Sequence, residues 1–162
     1  YLTVLRGTPV LVQLMIVYFV IFMPIGIDKF IAAVICFGLN SGAYVAEIFR
    51  GGIMSIDNGQ FEAGRSLGLN YIQTMTHIII PQMFKSVLPT LCNEFIALLK
   101  ETSVAGYVAV DDLTRAGNLV RNNTFDAINP LMVVALTYLI MVIGLTQLQK
   151  LIERRLSKSD KR

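Results

Sequence analysis

The stretch AINPLMVVALTYLIMVIGLTQLQ, from Ala127 to Gln149, carries no Asp, Glu, Lys or Arg. A helix rises about 1.5 Å per residue and the apolar core of a bilayer is roughly 30 Å thick, so this stretch can cross a membrane as one helix. Gly7 to Ile27 is equally free of charge, and Phe30 to Ala46 can cross if Glu47 and Arg50 lie at the interface. These segments predict an all-α protein embedded in a membrane.

The overall composition points the same way. Hydrophobic residues make up 54% of the chain and charged residues 15%, and the mean hydropathy is +0.62. A soluble protein that buries three apolar helices needs a polar shell that the remaining residues do not supply. Cys36 and Cys92 lie in apolar stretches, where a free thiol behaves as a small hydrophobic group, so they predict neither a disulfide nor a metal site.

The sequence predicts a single transmembrane domain with four spans and a short helix outside the membrane. The third span carries Lys85, Asn93 and Glu94, so it must face protein or water rather than lipid. Pro81 and Pro89 are expected to bend or break that span. The domain covers residues 1–162, the spans are residues 8–25, 28–49, 83–99 and 127–151, and the polar loop between the second and third spans covers residues 55–72.

Basic residues are unevenly divided between the two sides of the predicted membrane. Because Lys and Arg are retained on the cytoplasmic side, the larger group and the C-terminus are assigned to the cytoplasm. The cytoplasmic group is Arg6, Arg50, Arg65, Lys150, Arg154, Arg155, Lys158, Lys161 and Arg162, and the outer group is Lys29, Lys100, Arg115 and Arg121. The basic tail directly follows a span, so it is interpreted as an anchor that meets anionic lipid rather than as a patch for nucleic acid.

The loop between the second and third spans begins the segment SIDNGQFEAGRSLGLNYIQTMTHIIIP, Ser55 to Pro81. Its first part is too polar to enter lipid. Gly59 is predicted to be the N-cap of a helix with Glu62 at the third position, where a carboxylate reaches free backbone donors. Gly68 can adopt a positive φ and end that helix after about two turns. The prediction is a short, capped helix on the cytoplasmic face.

This loop resembles the signature of the permease subunits of ATP-binding cassette (ABC) importers, which reads EAA, three residues, Gly, nine residues, then Ile, any residue, Leu, Pro. The positions that match are Glu62, Ala63, Gly68, Ile78 and Pro81. Gly64 replaces the second Ala and is expected to loosen the helix by roughly 0.5 to 1 kcal/mol, whereas Ile80 for Leu is a conservative change.

Three further segments resemble the polar amino acid branch of these permeases, in the order and spacing of that branch. They are RGTPVLVQL (6–14), LNSGAYVAEIFRGGI (39–53) and NEFIALLKETS (93–103). The resemblance implies a type I importer fold in a bacterial cytoplasmic (inner) membrane. It also implies five spans, so one N-terminal span is expected to be absent from a chain that opens on Tyr1 without Met.

The resemblance also implies the partners. Such permeases pair with a like subunit across a pore, with two ATP-binding subunits below and an extracytoplasmic solute-binding protein above. ATP and Mg²⁺ then belong to the partner, and this chain is expected to bind no cofactor and to be no enzyme. The short helix corresponds to the coupling helix, and a helix stiffened at both ends can transmit a rigid-body push. The residues assigned to this contact are Glu62, Ala63, Gly64, Arg65 and Gly68, although Glu62 can also simply cap its helix.

Polar residues inside spans indicate a substrate path or an internal pair. One set recurs at one-turn spacing in the second span and so shares a helix face, and the other begins in the third span and runs past its end. An amino acid offers an ammonium group and a carboxylate, for which these residues supply acceptors and a donor. The two sets are Asn40, Tyr44 and Glu47, and Asn93, Glu94, Lys100 and Thr102. The alternative is structural: Glu47 pairs with Arg50, and Asn93 joins two helices.

Other functions find little support in the sequence. There is no GxxxxGK[ST] motif to bind phosphates, and His77, the single histidine, has no acid or nucleophile at a motif spacing. No cluster of ligands predicts a metal site. The serious alternative is a secondary transporter or channel driven by an ion gradient, but such proteins usually have more spans and often internal repeats.

Overall fold

The computed structural model describes residues 1–159, with side chains described up to Arg154. Within this range the chain consists of helices and loops without a strand, which confirms the all-α prediction. The eight α-helices are α1 (Leu2–Gly7), α2 (Val10–Met15), α3 (Lys29–Met54), α4 (Asn58–Ser66), α5 (Tyr71–Thr74), α6 (Ile80–Glu101), α7 (Leu113–Thr124) and α8 (Ile128–Ser159). Part of the predicted basic anchor, Lys161 and Arg162, lies outside the described residues.

The first predicted span is an irregular helix. Thr8 is extended, as expected of a residue before proline, and this separates α1 from α2 at Pro9. From α2 the helix continues as a π-helix over Ile16–Phe22 and a 3₁₀ turn over Met23–Ile25. Gly26 ends it with φ 73°.

The second predicted span corresponds to α3, which is longer than its apolar stretch. Asp28 caps it, because its Oδ1 accepts a hydrogen bond of 2.8 Å from the amide of Phe30. The helix then continues past residue 49 to Met54. Its buried side contacts α2 and the 3₁₀ helix Thr102–Val108, and the shared core is Leu14, Ala33, Cys36, Phe37, Ala105 and Val108.

The helix that contains the third predicted span begins well before residue 83. It starts at α5, continues as a π-helix over Met75–Ile79 and becomes α6. Pro81 lies directly after the π-helix, where the regular i→i−4 bonding of the continuous helix is already interrupted. Pro89 lies inside α6, which continues to Glu101, so of the expected bend or break the break does not occur.

The polar segment after α6 folds into two helices of its own. A 3₁₀ helix covers Thr102–Val108, and α7 follows it. Asp112 joins them: its Oδ1 accepts a 2.5 Å hydrogen bond from the amide of Arg115, and its Oδ2 accepts one of 3.0 Å from the amide of Gly106. α7 then packs on α8, its neighbour along the chain.

Among residues 1–159, two helices are long and apolar enough to cross a membrane. These are Lys29–Met54, with a mean hydropathy of 1.6, and Ile128–Arg154, with 2.2. Val10–Ile25 is a shorter apolar helix. α6 joins the bundle between α3 and α8, although it carries Lys85 and Glu94.

Candidate functional site

The first candidate site is α4 with the turn that follows it. Its N-cap is Asp57, whose Oδ1 accepts a hydrogen bond of 2.9 Å from the amide of Gly59. The prediction that Gly59 caps the helix is therefore wrong, and Glu62 lies at the fifth helical position rather than the third. Asp57 takes the cap because its carboxylate satisfies a free N–H that glycine has no side chain to reach.

The C-terminal cap of α4 has the predicted chemistry. Gly68 has φ 78° and follows the last helical residues, Ser66 and the C-cap Leu67. The amide of Gly68 donates to the carbonyl of Arg65 at 2.9 Å, and the amide of Leu69 donates to the carbonyl of Gly64 at 3.0 Å. This pair of bonds is a Schellman motif, which satisfies carbonyls at the helix end and stiffens the turn.

The glycine at position 64 has a role that sequence reasoning missed. Gly64 is buried, and a Cβ added to it would lie 2.7 Å from both Cγ2 and Oγ1 of Thr74. Thr74 is only 2% exposed, and its Oγ1 has no hydrogen-bond partner among the described residues. Beyond loosening α4, the glycine lets the helix approach α5 closely.

The other members of the coupling set lie on the surface. Glu62, Ala63, Arg65 and Gly68 are all exposed. An open groove of about 560 Å³ runs beside them, and its lining residues are Asn58, Phe61, Glu62, Arg65, Tyr71 and Thr74. Three large apolar side chains in and just after this part of the chain are exposed: Leu67 is 76%, Tyr71 71% and Ile72 70% exposed.

The second candidate site is the polar face of α3. Asn40, Tyr44 and Glu47 do share a face, and it is turned toward the α1–α2 segment. Glu47 lies 3.5 Å from Nη1 of Arg6. The guanidinium carbon of Arg6 lies 5.4 Å from the ring centre of Tyr44. Nε of Arg50 also donates to both carboxylate oxygens of Glu47 at 3.1 Å, which is the ion pair of the structural alternative.

Asn40 is buried in a hydrogen-bond network around the break between α1 and α2. Its Nδ2 donates to the carbonyl of Leu5 at 3.2 Å and to Oε1 of Gln13 at 2.9 Å. Nε2 of Gln13 donates to the carbonyls of Leu5 and Thr8 at 2.7 and 2.9 Å. The network thus satisfies carbonyls that the break at Pro9 leaves open. Gln13 was missed, although an amide inside an apolar stretch is a signal for such a partner.

The α6 set lies apart from the α3 face. Glu94 is half-buried and its Oε1 accepts a hydrogen bond of 3.1 Å from Ser41 of α3. Asn93 and Lys100 are exposed, and Oγ1 of Thr102 donates to the carbonyl of Leu99 at 2.8 Å. In the part of the chain that the structure describes, no hydrogen bond or ion pair joins these residues directly to the α3 set. Ser41 of α3 bonds to Glu94 of α6, and its small hydroxyl gave no signal in the sequence.

Comparison with known proteins identifies the family to which this architecture belongs. Residues 1–158 match the family described as binding-protein-dependent transport system inner membrane component. The arginine transport system permease protein ArtQ of Bacillus subtilis is 41% identical over 162 residues, which cover 99% of this chain and 74% of that protein. The glutamine transport system permease protein GlnP of Escherichia coli is 40% identical over 159 residues, covering 96% and 73%.

Two solved structures share the fold. The crystal structure of an amino acid ABC transporter with histidines superposes with a TM-score of 0.90 at 43% identity, covering 96% of this chain and 73% of that one. An inward-facing structure of the MetNI methionine ABC transporter has a TM-score of 0.79 at 18% identity over 96% and 72%. The importer fold and the resemblance to permeases of the polar amino acid branch, both inferred from the sequence, are confirmed.

Proposed function

Since this chain belongs to the family of binding-protein-dependent transport system inner membrane components, we propose that it is the permease subunit of an ATP-driven importer of polar amino acids. The relatives named as arginine and glutamine permeases support the substrate class. The same substrate class appears in the name of the structure that shares 43% of the sequence.

The observation that carries the proposal is the construction of α4. It is a short polar helix capped at both ends, and it stands beside exposed Leu67, Tyr71 and Ile72. A stiff helix followed by exposed apolar side chains is suited to docking on another protein. We assign this surface to the ATP-binding partner on the cytoplasmic side, with Glu62, Ala63 and Arg65 in contact and with Gly64 and Gly68 shaping the helix.

The assembly follows from this assignment. A second permease subunit completes the pore, two ATP-binding subunits dock below it, and a solute-binding protein delivers the amino acid from outside. ATP and Mg²⁺ are bound by the partner. Closure of the partner moves α4 and changes the access of the pore from one side to the other. The C-terminus lies in the cytoplasm, on the side of the larger basic group.

We propose that the substrate path follows α6, with Asn93, Glu94, Lys100 and Thr102 on it. Glu94 is the strongest candidate, because a half-buried carboxylate can accept a charge-assisted hydrogen bond from the ammonium group of an amino acid. Ser41 holds the carboxylate from α3. Asn40, Tyr44 and Glu47 flank this path, and their contacts with the α1–α2 segment support a second, structural role.

Reconstitution of the whole assembly in liposomes tests this function. Uptake of labelled arginine or glutamine is expected to require ATP inside together with the binding protein, and to persist when ion gradients are dissipated. Uptake that collapses with the gradient and ignores ATP would instead support the gradient-driven alternative. A thermal-shift screen of the binding protein against the common amino acids then identifies the substrate.

Cross-linking tests the docking surface. Ala63→Cys is expected to cross-link to the ATP-binding subunit, whereas Leu119→Cys, an exposed position on α7, is expected not to. Cross-linking from both positions, or from neither, contradicts the assignment of α4.

A further inference from the structure

Two of the contacts between α4 and the helical segment that runs from Tyr71 to Glu101 differ in stiffness. One is a hydrogen bond of 3.2 Å from Nε2 of Gln82 to Oε1 of Gln60. It joins the tips of two long side chains, so it can lengthen or re-form when α4 moves. The other is the close approach of Gly64 to Thr74.

The contact between Gly64 and Thr74 is short and stiff. On the α4 side it is made by backbone, because Gly64 has no side chain. On the other side stands a β-branched side chain, whose χ1 is restricted in a helix. Thr74 is 2% exposed, so it has little room to turn away. A movement of α4 toward the bundle therefore meets Thr74 at once, whereas the bond at Gln82 can yield.

Thr74 lies at the base of the helix that enters the bundle. It is the last residue of α5, the π-helix Met75–Ile79 follows, and α6 continues to Glu101. Farther along, Met83 and Val87 pack against Gly52 of α3. A push at Thr74 is thus applied to the axis of α6 and reaches its contact with α3.

We propose that Gly64 and Thr74 form a size-matched contact that sets the distance between α4 and α6, and that Thr74 is a positioning residue through which movement of α4 drives the bundle. This inference rests on the proposed function. Its distinctive claim is that the combined size of residues 64 and 74, rather than either residue alone, determines how much transport each hydrolysed ATP produces.

The claim predicts that alanine has opposite effects on the contact at the two positions. Alanine at 64 overfills the contact, since its Cβ falls 2.7 Å from two atoms of Thr74. Alanine at 74 removes those two atoms and leaves a gap. With both changes the added Cβ lies 3.2 Å from the Cβ at position 74, which a shift of a few tenths of an ångström relieves. The double variant is therefore expected to recover.

The experiment measures labelled amino acid taken up per ATP hydrolysed by the complete assembly in liposomes. Gly64→Ala is expected to lower this ratio by about tenfold, because the overfilled contact forces α4 and Thr74 apart. Thr74→Ala is expected to lower it by about twofold to threefold, and G64A/T74A to return to within about threefold of the unmodified protein. Thr74→Val keeps the size without the hydroxyl and is expected to couple normally.

Gly59→Ala is the matched control. It makes the same change in the same helix, but its Cβ meets only the Asp57 carboxylate, at an ordinary 3.4 Å. It is expected to transport normally. Yield of the four-subunit assembly is recorded for each variant, because a defect in coupling leaves assembly intact while a folding defect does not.

The outcomes separate this inference from the proposed function. An unmodified assembly without ATP-dependent uptake contradicts the function itself. If the unmodified assembly transports, normal coupling in Thr74→Ala overturns the inference, even where Gly64→Ala fails to assemble. Equal loss in Gly64→Ala and in the double variant also overturns it, as does loss in Thr74→Val, which would assign the effect to the hydroxyl.

Discussion

α6 and α8 are neighbouring helices of membrane length that are built in opposite ways. α8 is the more apolar of the two helices long enough to span a membrane among the described residues, with a mean hydropathy of 2.2, yet only 6% of its apolar window is buried. α6 carries Lys85, Glu94 and Pro89, and it packs against both α3 and α8. Length and hydropathy therefore find α8 as well as the packed helix α3, whereas α6 is identified by its contacts.

The difference has a physical basis. Lipid is as apolar as a leucine side chain, so apolar surface alone gives two helices little reason to associate within a membrane. Close approach at small residues supplies that reason. α6 has such an approach to α3 at Gly52. The close approach of α8 is instead to α7, where a Cβ on Gly117 would lie 2.4 Å from Cγ2 of Val134, and Gly144 of α8 has no atom within 4 Å of an added Cβ.

The largest expected effect breaks the contact of α6. In Gly52→Val the new Cβ would lie 2.1 Å from Cγ1 of Val87, so the assembly should lose about 3 kcal/mol of stability or fail to form. Thermal unfolding in detergent measures this. Gly51→Val on α3 and Gly144→Val on α8 make the same change in open space, and a similar loss in either would show that the side chain rather than the contact is responsible.

The next effect tests the polar face of α6. Glu94→Gln keeps an acceptor for Ser41 but removes the charge, so we expect about a tenfold weaker apparent affinity for the amino acid with an unchanged melting temperature. Uptake at graded substrate concentrations measures it. Ser41→Ala keeps the charge and removes the hydrogen bond of 3.1 Å. If it weakens affinity equally, Glu94 acts through structure.

A smaller effect concerns the contact between α6 and α8. Gln149 is 9% exposed, and its Nε2 donates to the carbonyl of Pro89 at 3.3 Å and to Oε1 of Glu153 at 2.9 Å, while its own Oε1 has no partner among the described residues. Replacing a buried, half-satisfied amide by an apolar side chain of similar shape removes that unmet group. Gln149→Met should raise stability by less than about 1 kcal/mol. A clear loss of stability would show that the bonds to Pro89 and Glu153 outweigh the unmet oxygen.

The smallest effect lies at the start of α8. The side chain and amide of Asn129 and the amide of Ile128 donate to Asp126, and these bonds hold the pKa of its carboxyl below its usual 3.8. The stabilisation is therefore present above that value and is lost as the pH falls below it. Asp126→Ala should lower the melting temperature slightly at neutral pH and not at the acid end of this range. An equal shift at both would contradict the capping role.

Much of the fold could be predicted because it depends on local chemistry. The charge-free stretches locate α3 and α8, and Gly68 ends α4 with the positive φ that its lack of a side chain allows. The N-cap was misassigned because Asp57 and Gly59 are both acceptable caps, and the stronger one lay two residues earlier. Local rules therefore predicted the existence of α4 and its C-terminal end correctly, but placed its N-cap two residues too late.

The rest of the site depends on residues distant in sequence. Asn40 belongs to an amide network with Gln13, 27 positions away, and Gly64 is required by Thr74 on the next helix. Neither contact follows from helix periodicity, because each depends on how two helices cross. The prediction did group Asn40 with the right neighbours on α3, but it could not determine what that face meets.

The π-helix Met75–Ile79 also changes the angular position of everything beyond it. A π turn accommodates an additional residue, and in an α-helix one residue corresponds to about 100° around the axis. A helical wheel drawn without interruption from Tyr71 to Glu101 therefore places the residues before the π-helix at the wrong angle relative to those after it. On such a wheel Met83 falls about 180° from Thr74, and the π turn changes that angle. Thr74 meets Gly64 of α4, while Met83 and Val87 meet Gly52 of α3, so one helical rod serves two neighbours.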